Sequence, residues 1–339
     1  MKTGCCGKRV WRIVALGWAA LAAWGAAGSA AQPAAWRPEK AVEVIAPSGP
    51  GGGTDKTARL ILKIWQDKRF LEVPVAVVNK PGGGGAVSLA YLKQHVADPH
   101  FVHIAPALLL TNHITGRSSY NYTDFTPIAL LNSEYVGFAV KADSPIKTIH
   151  DLAARLREEA AAVSIAVGTS LGGANHIAAA LVARAAGGDM KKLKTVVFKS
   201  SAESMVAALG GHVDVVASSA SLILPHFRSG AVRILAMSAP KRLTGVLATV
   251  PTLKEQGIDA VVDNFRLMIA NSGLQPAQIA YWDGVMARLT QSDEWRKNLE
   301  NNLWENTYMN SRDTRKYLDA QYPELKEVLV ELGMAKAAQ

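Results

Sequence analysis

Cysteine is nearly missing from this sequence: 339 residues hold two, and both, Cys5 and Cys6, stand at the very start. The rest of the chain has no disulfide framework and no thiol chemistry, so its folded state must rest on an apolar core. Acidic residues are in mild deficit, 28 against 37 Lys and Arg, a formal net charge of +9. Aromatics are sparse at 7%, and no basic stripe carries interleaved aromatic residues, which speaks against nucleic acid as a partner. The densest basic cluster after the N-terminus, Lys191-Lys192 with Lys194, reads as a solvated turn before a strand. The eight histidines are scattered, with no HxxxH or HExxH spacing, so no metal site is expected. The N-terminal apolar run Ile13–Ala27 covers 15 residues, short of the roughly 20 that a membrane-spanning helix needs.

That run has a different use. Lys8, Arg9 and Arg12 precede it, and Gly28-Ser29-Ala30-Ala31 follows with small residues suited to cleavage. This is the layout of a secretory signal peptide over residues 1–31, cut after Ala30 or Ala31. Cys5 and Cys6 lie ahead of the apolar run, whereas a lipoprotein signal needs its cysteine behind it. Loss of Lys2, Lys8, Arg9 and Arg12 with the leader takes four positive charges from +9 and leaves about +5. A modest positive charge suits an anionic small ligand.

What the chain does have is glycine at the ends of strands. Val42–Pro47 reads as a strand and runs into Ser48-Gly49-Pro50-Gly51-Gly52-Gly53-Thr54-Asp55, after which Lys56 to Gln66 reads as helix. Val75–Lys80 runs into Pro81 and four glycines, and Ser164–Val167 runs into Gly168-Thr169-Ser170-Leu171-Gly172-Gly173-Ala174-Asn175-His176. A glycine turn between strand and helix leaves backbone N–H groups bare at a helix N-terminus, where the helix dipole also favours an anion. Three such turns predict a crevice built to hold negative groups, a carboxylate above all. The residues expected to line it are Ser48, Gly49, Gly51, Gly52, Thr54 and Asp55 from the first turn. The third turn offers Gly168, Thr169, Ser170, Gly172, Asn175 and His176. His176 either points into the crevice or bonds to backbone in the first turn of its helix.

Strands alternate with helices throughout, the pattern of an α/β fold with parallel sheets. A first series of strands is expected at 42–47, 74–79, 101–106, 126–131 and 135–141, and a second at 164–168, 194–198, 213–217 and 232–237. One more strand falls near 261–270, before a helical tail. Two βα series plus such a tail predict two lobes, the first made of 36–140 with 250–339 and the second of 141–249, joined by two chain crossings. Ligands of open α/β sheets bind beyond the carboxyl ends of the strands, where all three glycine turns lie.

One enzyme motif needs weighing. Gly168-Thr169-Ser170-Leu171-Gly172 matches the G-x-S-x-G nucleophile elbow, with Asp214 and His226 following in the order a serine hydrolase requires. Asp214, however, opens an apolar strand, and His226 lies in a helix rather than a late loop. An exported hydrolase using Ser170 is therefore the alternative, and Ser170 as a hydrogen-bond donor the preferred reading. Gly49 to Thr57 has Asp55 before Lys56 where a phosphate-binding loop has glycine, which disfavours nucleotides.

The chain resembles the Bug-type extracytoplasmic receptors of tripartite tricarboxylate transporters. The resemblance is carried by Arg37-Pro38-Glu39-Lys40, Pro47 to Arg59, Val78 to Gly84, Asn121 to Pro127, Gly210 to Asp214, Leu224-Pro225-His226, and Val250-Pro251-Thr252 followed by Gln256-Gly257. It implies a periplasmic-binding-protein fold of type II character that closes on its ligand, no cofactor and no catalysis. It also implies a periplasmic location, a small di- or tricarboxylate ligand held between the first and third turns partly through ordered water, and delivery to a membrane transporter by a monomeric receptor. Many relatives carry an acid after the strand that here begins Val213-Asp214, placed for an amino group. Ser218 stands at that position, which favours a pure carboxylate such as citrate over an amino acid.

Overall fold

Residues 36–168, 171–198 and 200–336 are described by the computed structural model. The expectations for the leader, for Thr169 and for Ser170 lie outside them. Alternation builds the first sheet: Val42, Val44 and Ala46 of β1 (Val42–Ala46) face one apolar cluster, and Ile45 faces the other. Helix α1 (Gly53–Asp67) buries Ala58, Ile61, Ile64 and Trp65 on the first of these faces. There Trp65 meets Trp282 of α8 (Pro276–Gln291), ring centroids 5.6 Å apart. The opposite face is covered by α2 (Ala86–Lys93), α3 (Leu108–Ile114) and Leu318 of α10 (Ser311–Glu331). Among the described residues no helix is long and apolar enough to cross a membrane.

The strands of this sheet run β2 (Val75–Asn79), β1, β3 (Phe101–Pro106), β10 (Arg266–Asn271), β4 (Phe125–Asn132). The second sheet runs β7 (Lys194–Phe198), β6 (Ser164–Gly168), β8 (Val215–Ser219), β5 (Val136–Lys141), β9 (Val232–Met237). Its layers are α4 (Ile149–Glu158) and α5 (Ala174–Ala185) on one face, with α6 (Ser201–Leu209) and α7 (Ala220–Arg228) on the other. The remaining helix, α9 (Asp293–Asn302), packs Trp295 and Leu299 under the first sheet.

Four expectations change here. The sheets are mixed rather than parallel, because β10 runs antiparallel to β3 and β4, and β5 runs antiparallel to β8 and β9. Each of these strands enters its sheet from the other half of the molecule and so arrives from the opposite end. The strand expected at 135–141 in the first series therefore belongs to the second sheet. The crossings fall at Ser133–Tyr135 and at Val262–Phe265, not near 140 and near 240–250. They lie side by side: Tyr135 bridges Asp263 antiparallel, Asn264 N–H donates to the Glu134 carbonyl at 3.0 Å, and Val262 N–H donates to the Ser238 carbonyl at 3.2 Å. The strand expected to begin near 261 begins at Arg266, since the residues before it form this crossing.

Candidate functional site

Because four strands of each sheet share one direction, the helices that follow them start at the same edge. The N-termini of α1, α2, α5, α6 and α7 consequently converge on one cavity of about 420 Å³ between the sheets. Gly53 and Thr54 of α1, Gly85 before α2, Ala174 and Asn175 of α5, Ser201 of α6 and Ser219 before α7 all line it. The first N–H groups of a helix have no acceptor within it, so five positive helix ends face this space.

The first turn is braced from within. Ser48 Oγ accepts from Thr54 Oγ1 at 2.7 Å and from the Asp55 N–H at 3.2 Å. Asp55 is buried and lies behind the cavity wall. Its carboxylate accepts from the Gly51 N–H (2.8 Å), Arg59 Nε (2.9 Å) and Asn79 Nδ2 (2.8 Å). Burial by itself raises the Asp55 carboxyl, but these hydrogen bonds outweigh it and hold the group below its usual range. Gly51 adopts φ +80°, open to glycine at little cost. A side chain at Gly52 would meet Ser48 Oγ at 2.6 Å.

The third turn repeats the plan with different chemistry. Gly172, at φ +78°, donates its N–H to Nδ1 of the buried His176 at 3.1 Å. Burial, and then the Arg117 charge, push the imidazole down to about 4, so it stays neutral and able to accept. Arg117, beyond α3, also reaches across to this turn and donates to the Leu171 carbonyl at 2.9 Å. Gly168 lines the cavity, and a Cβ there would lie 2.5 Å from the Ser201 backbone.

Of the residues expected at the site, Ser48, Thr54, Gly168 and Asn175 reach the cavity wall. Gly49, Gly51, Gly52, Asp55, Gly172 and His176 shape the turns behind it. Of the two readings of His176, the backbone-bonded one holds. Ser218 is fully buried, with no hydrogen-bond partner for its hydroxyl among the described residues, and the adjacent Ser219 faces the cavity instead. Strand β8 ends two residues later than expected, and neighbouring strand residues face opposite sides. Asp214 is tied to the other end of that sheet, accepting from the Ser164 N–H at 2.8 Å, far from the arrangement a hydrolase would need.

Both charged residues of the cavity wall escaped sequence reasoning. Glu134, 7% exposed, stands on one crossing, and Arg266, 8% exposed, opens β10 directly after the other, with Nη2 3.6 Å from Oε2. Glu134 Oε1 accepts from Ser221 Oγ at 2.9 Å, and Ser221 adjoins Ser219 at 3.2 Å. The available signal was a lone arginine between Phe265 and Leu267 in an apolar strand, a place where a charge is rarely left without purpose. A second groove, of about 390 Å³, lies between α5 and α10. Asp259, Asp263, Glu324 and Glu327 line it beside Arg184, a composition that repels anions.

Two lobes joined by paired crossings around a polar cavity define a solute-binding protein. The model of the tripartite tricarboxylate transporter family receptor matches residues 64–334, and the chain belongs to that family, in its Bug-type branch. It is similar to the Cupriavidus necator "UPF0065 protein in gbd 5'region", 27% identical over 321 residues that cover 94% of this chain and 96% of the relative. Among solved structures, a TctC solute-binding protein from Polaromonas aligns at 25% identity with TM-score 0.75, covering 87% of this chain and 99% of that one. An R. palustris protein solved with adipate shares the fold at 22% identity, TM-score 0.74, covering 88% of this chain and 99% of that one. The family consists of substrate-binding proteins; the chain is a receptor and not an enzyme.

Proposed function

We propose that this receptor captures a small di- or tricarboxylate, citrate-like in charge, in the cavity between its sheets and delivers it to a tripartite tricarboxylate membrane transporter. The observation that carries the reading is the convergence of five helix N-termini on one cavity whose wall also holds a buried arginine. Such ends favour anions, and a buried guanidinium fits a carboxylate in two-pronged fashion. The adipate held by the R. palustris relative supports the ligand class. In this reading Ser48, Gly53 and Thr54 hold one carboxylate and Asn175 with the α5 N-terminus another, with Ser170 as a further donor. The lobes are 36–134 with 264–336, and 135–263, and they close about the paired crossings. The protein acts as a monomer in the periplasm after removal of its leader near Ala30 or Ala31.

Thermal melts with a panel of organic acids test this. An acid at a hundred times its dissociation constant adds about 2.7 kcal/mol of stability, and a neutral sugar adds nothing. Absence of a shift with every di- and tricarboxylate would refute the ligand class.

A further inference from the structure

The hydrogen bonds of the cavity's ion pair are incomplete in a directional way. Arg266 Nη1 is engaged at 3.2 Å by the Asn264 carbonyl, by Asn264 Oδ1 and by the Phe265 carbonyl. Its Nε is buried with no partner among the described residues, and Nη2 stands 3.6 Å from Glu134 Oε2, beyond hydrogen-bond length. A guanidinium has five N–H donors, and here one edge of it is unmet inside a wall that lines the cavity. Leaving buried donors unmet is costly, so this edge is fitted to an acceptor that arrives with the ligand. Glu134 is the mirror case. Its Oε1 is taken by Ser221, while Oε2 has only the distant Arg266.

We propose that Arg266 and Glu134 read two adjacent groups of one ligand: Arg266 binds a carboxylate, and Glu134 accepts a hydrogen bond from a hydroxyl or ammonium on the neighbouring carbon. The receptor's ligand is then a 2-hydroxy or 2-amino acid rather than a plain dicarboxylate. This rests on the carboxylate reading above and refines it. The acid that Ser218 does not provide is supplied by Glu134, which precedes the strand paired with β8 and meets Ser221 just past the end of β8, so the expectation that an amino acid is disfavoured is reversed. An acceptor-only substituent placed beside Glu134 would meet like charge in a desolvated space, whereas a donor completes the pair.

Calorimetric titrations with acids matched except for the donor test the pair: malate and aspartate against succinate, and citrate against tricarballylate. The donor-bearing member of at least one set binds wild type tenfold or more tightly, about what one charge-assisted hydrogen bond supplies. The malate and aspartate arms tell hydroxyl from ammonium. E134Q reduces that preference to within about threefold, and R266Q weakens every acid that binds. If E134Q does not fold, E134D, which keeps the charge on a shorter arm, must weaken the donor-bearing acid more than its partner. Equal binding across all sets, or a preference that survives these variants, overturns the assignment while leaving the carboxylate reading intact. Silence from all five acids overturns the assignment, and silence from the wider panel of di- and tricarboxylates, adipate included, overturns the carboxylate reading as well.

Discussion

The turn before α1 and the turn before α5 solve one problem with opposite chemistry. In each, a glycine near φ +80° donates its N–H to a side chain four residues on, fixing the loop so that the next backbone groups face the cavity. In the first turn the acceptor is an ionised carboxylate that also holds Arg59 and Asn79. In the second it is a neutral imidazole with one backbone bond, next to the charge of Arg117. The geometry needs only an acceptor at that place. What the acceptor is decides how firmly the turn is held and at which acidity it lets go.

Removing the first brace should have the largest effect. Asp55→Ala leaves the Gly51 N–H without its acceptor and takes one of two acceptors from the Asn79 amide, while the half-exposed Arg59 turns to water, and is expected to cost about 2–3 kcal/mol in urea unfolding. A cost no greater than that of His176→Gln would mean that the charged brace adds nothing over the neutral one.

Acidity should separate the turns next. The folded His176 titrates at about 4, below the ordinary 6.5. Between those values the unfolded chain holds a proton that the folded chain lacks, so this stabilisation is full above about 6.5 and is lost as pH falls toward 4. The loss is at most about 3 kcal/mol. Asp55, held below its usual range, contributes above about 3.8 and yields only in stronger acid. Buried His103, pushed down to about 3, adds a parallel loss, so the comparison is wild type against His176→Gln. The variant should show the shallower decline in stability between pH 6.5 and 4, and identical declines would rule out His176 as the sensitive brace.

The smallest contrast lies in the glycines. Gly51→Ala and Gly172→Ala each place a side chain at positive φ, costing about 1–2 kcal/mol. A Cβ at 51 meets nothing within 4 Å, whereas one at 172 meets Met334 at 3.3 Å. Thermal melts should therefore rank Gly172→Ala as slightly worse, and the reverse order would place the tighter packing at the first turn.

These turns were legible in the sequence because everything that makes them is local: a strand, a run of glycines, and an acceptor a few positions on. The two-lobe plan was legible from alternation for the same reason. Arg266 and Glu134 were not, because each lies at a break between elements, and only the pairing of distant crossings turns both toward one cavity. The exchange of β5 and β10 between the halves was hidden likewise, since a strand's own residues carry no mark of which sheet it joins. Ser218 was misplaced because β8 runs two residues further than expected, which puts Ser218 inside the strand facing the core and leaves the alternate face, toward the cavity, to Ser219.

The C-terminal helix has a thermodynamic meaning. Thr314, in the first turns of α10, caps Leu130 N–H of β4 at 2.8 Å, and Leu318 lies in the core of the first lobe. Val328 and Leu329 at its far end are buried in the core of the second, beside Ile177 and Leu181. Past the helix, Lys336 N–H closes on the Ile114 carbonyl at 2.8 Å. Neither lobe can lose its structure without exposing apolar surface that belongs to the other, so the two lobes are expected to melt in a single cooperative step, which agreement of calorimetric and van't Hoff enthalpies would verify.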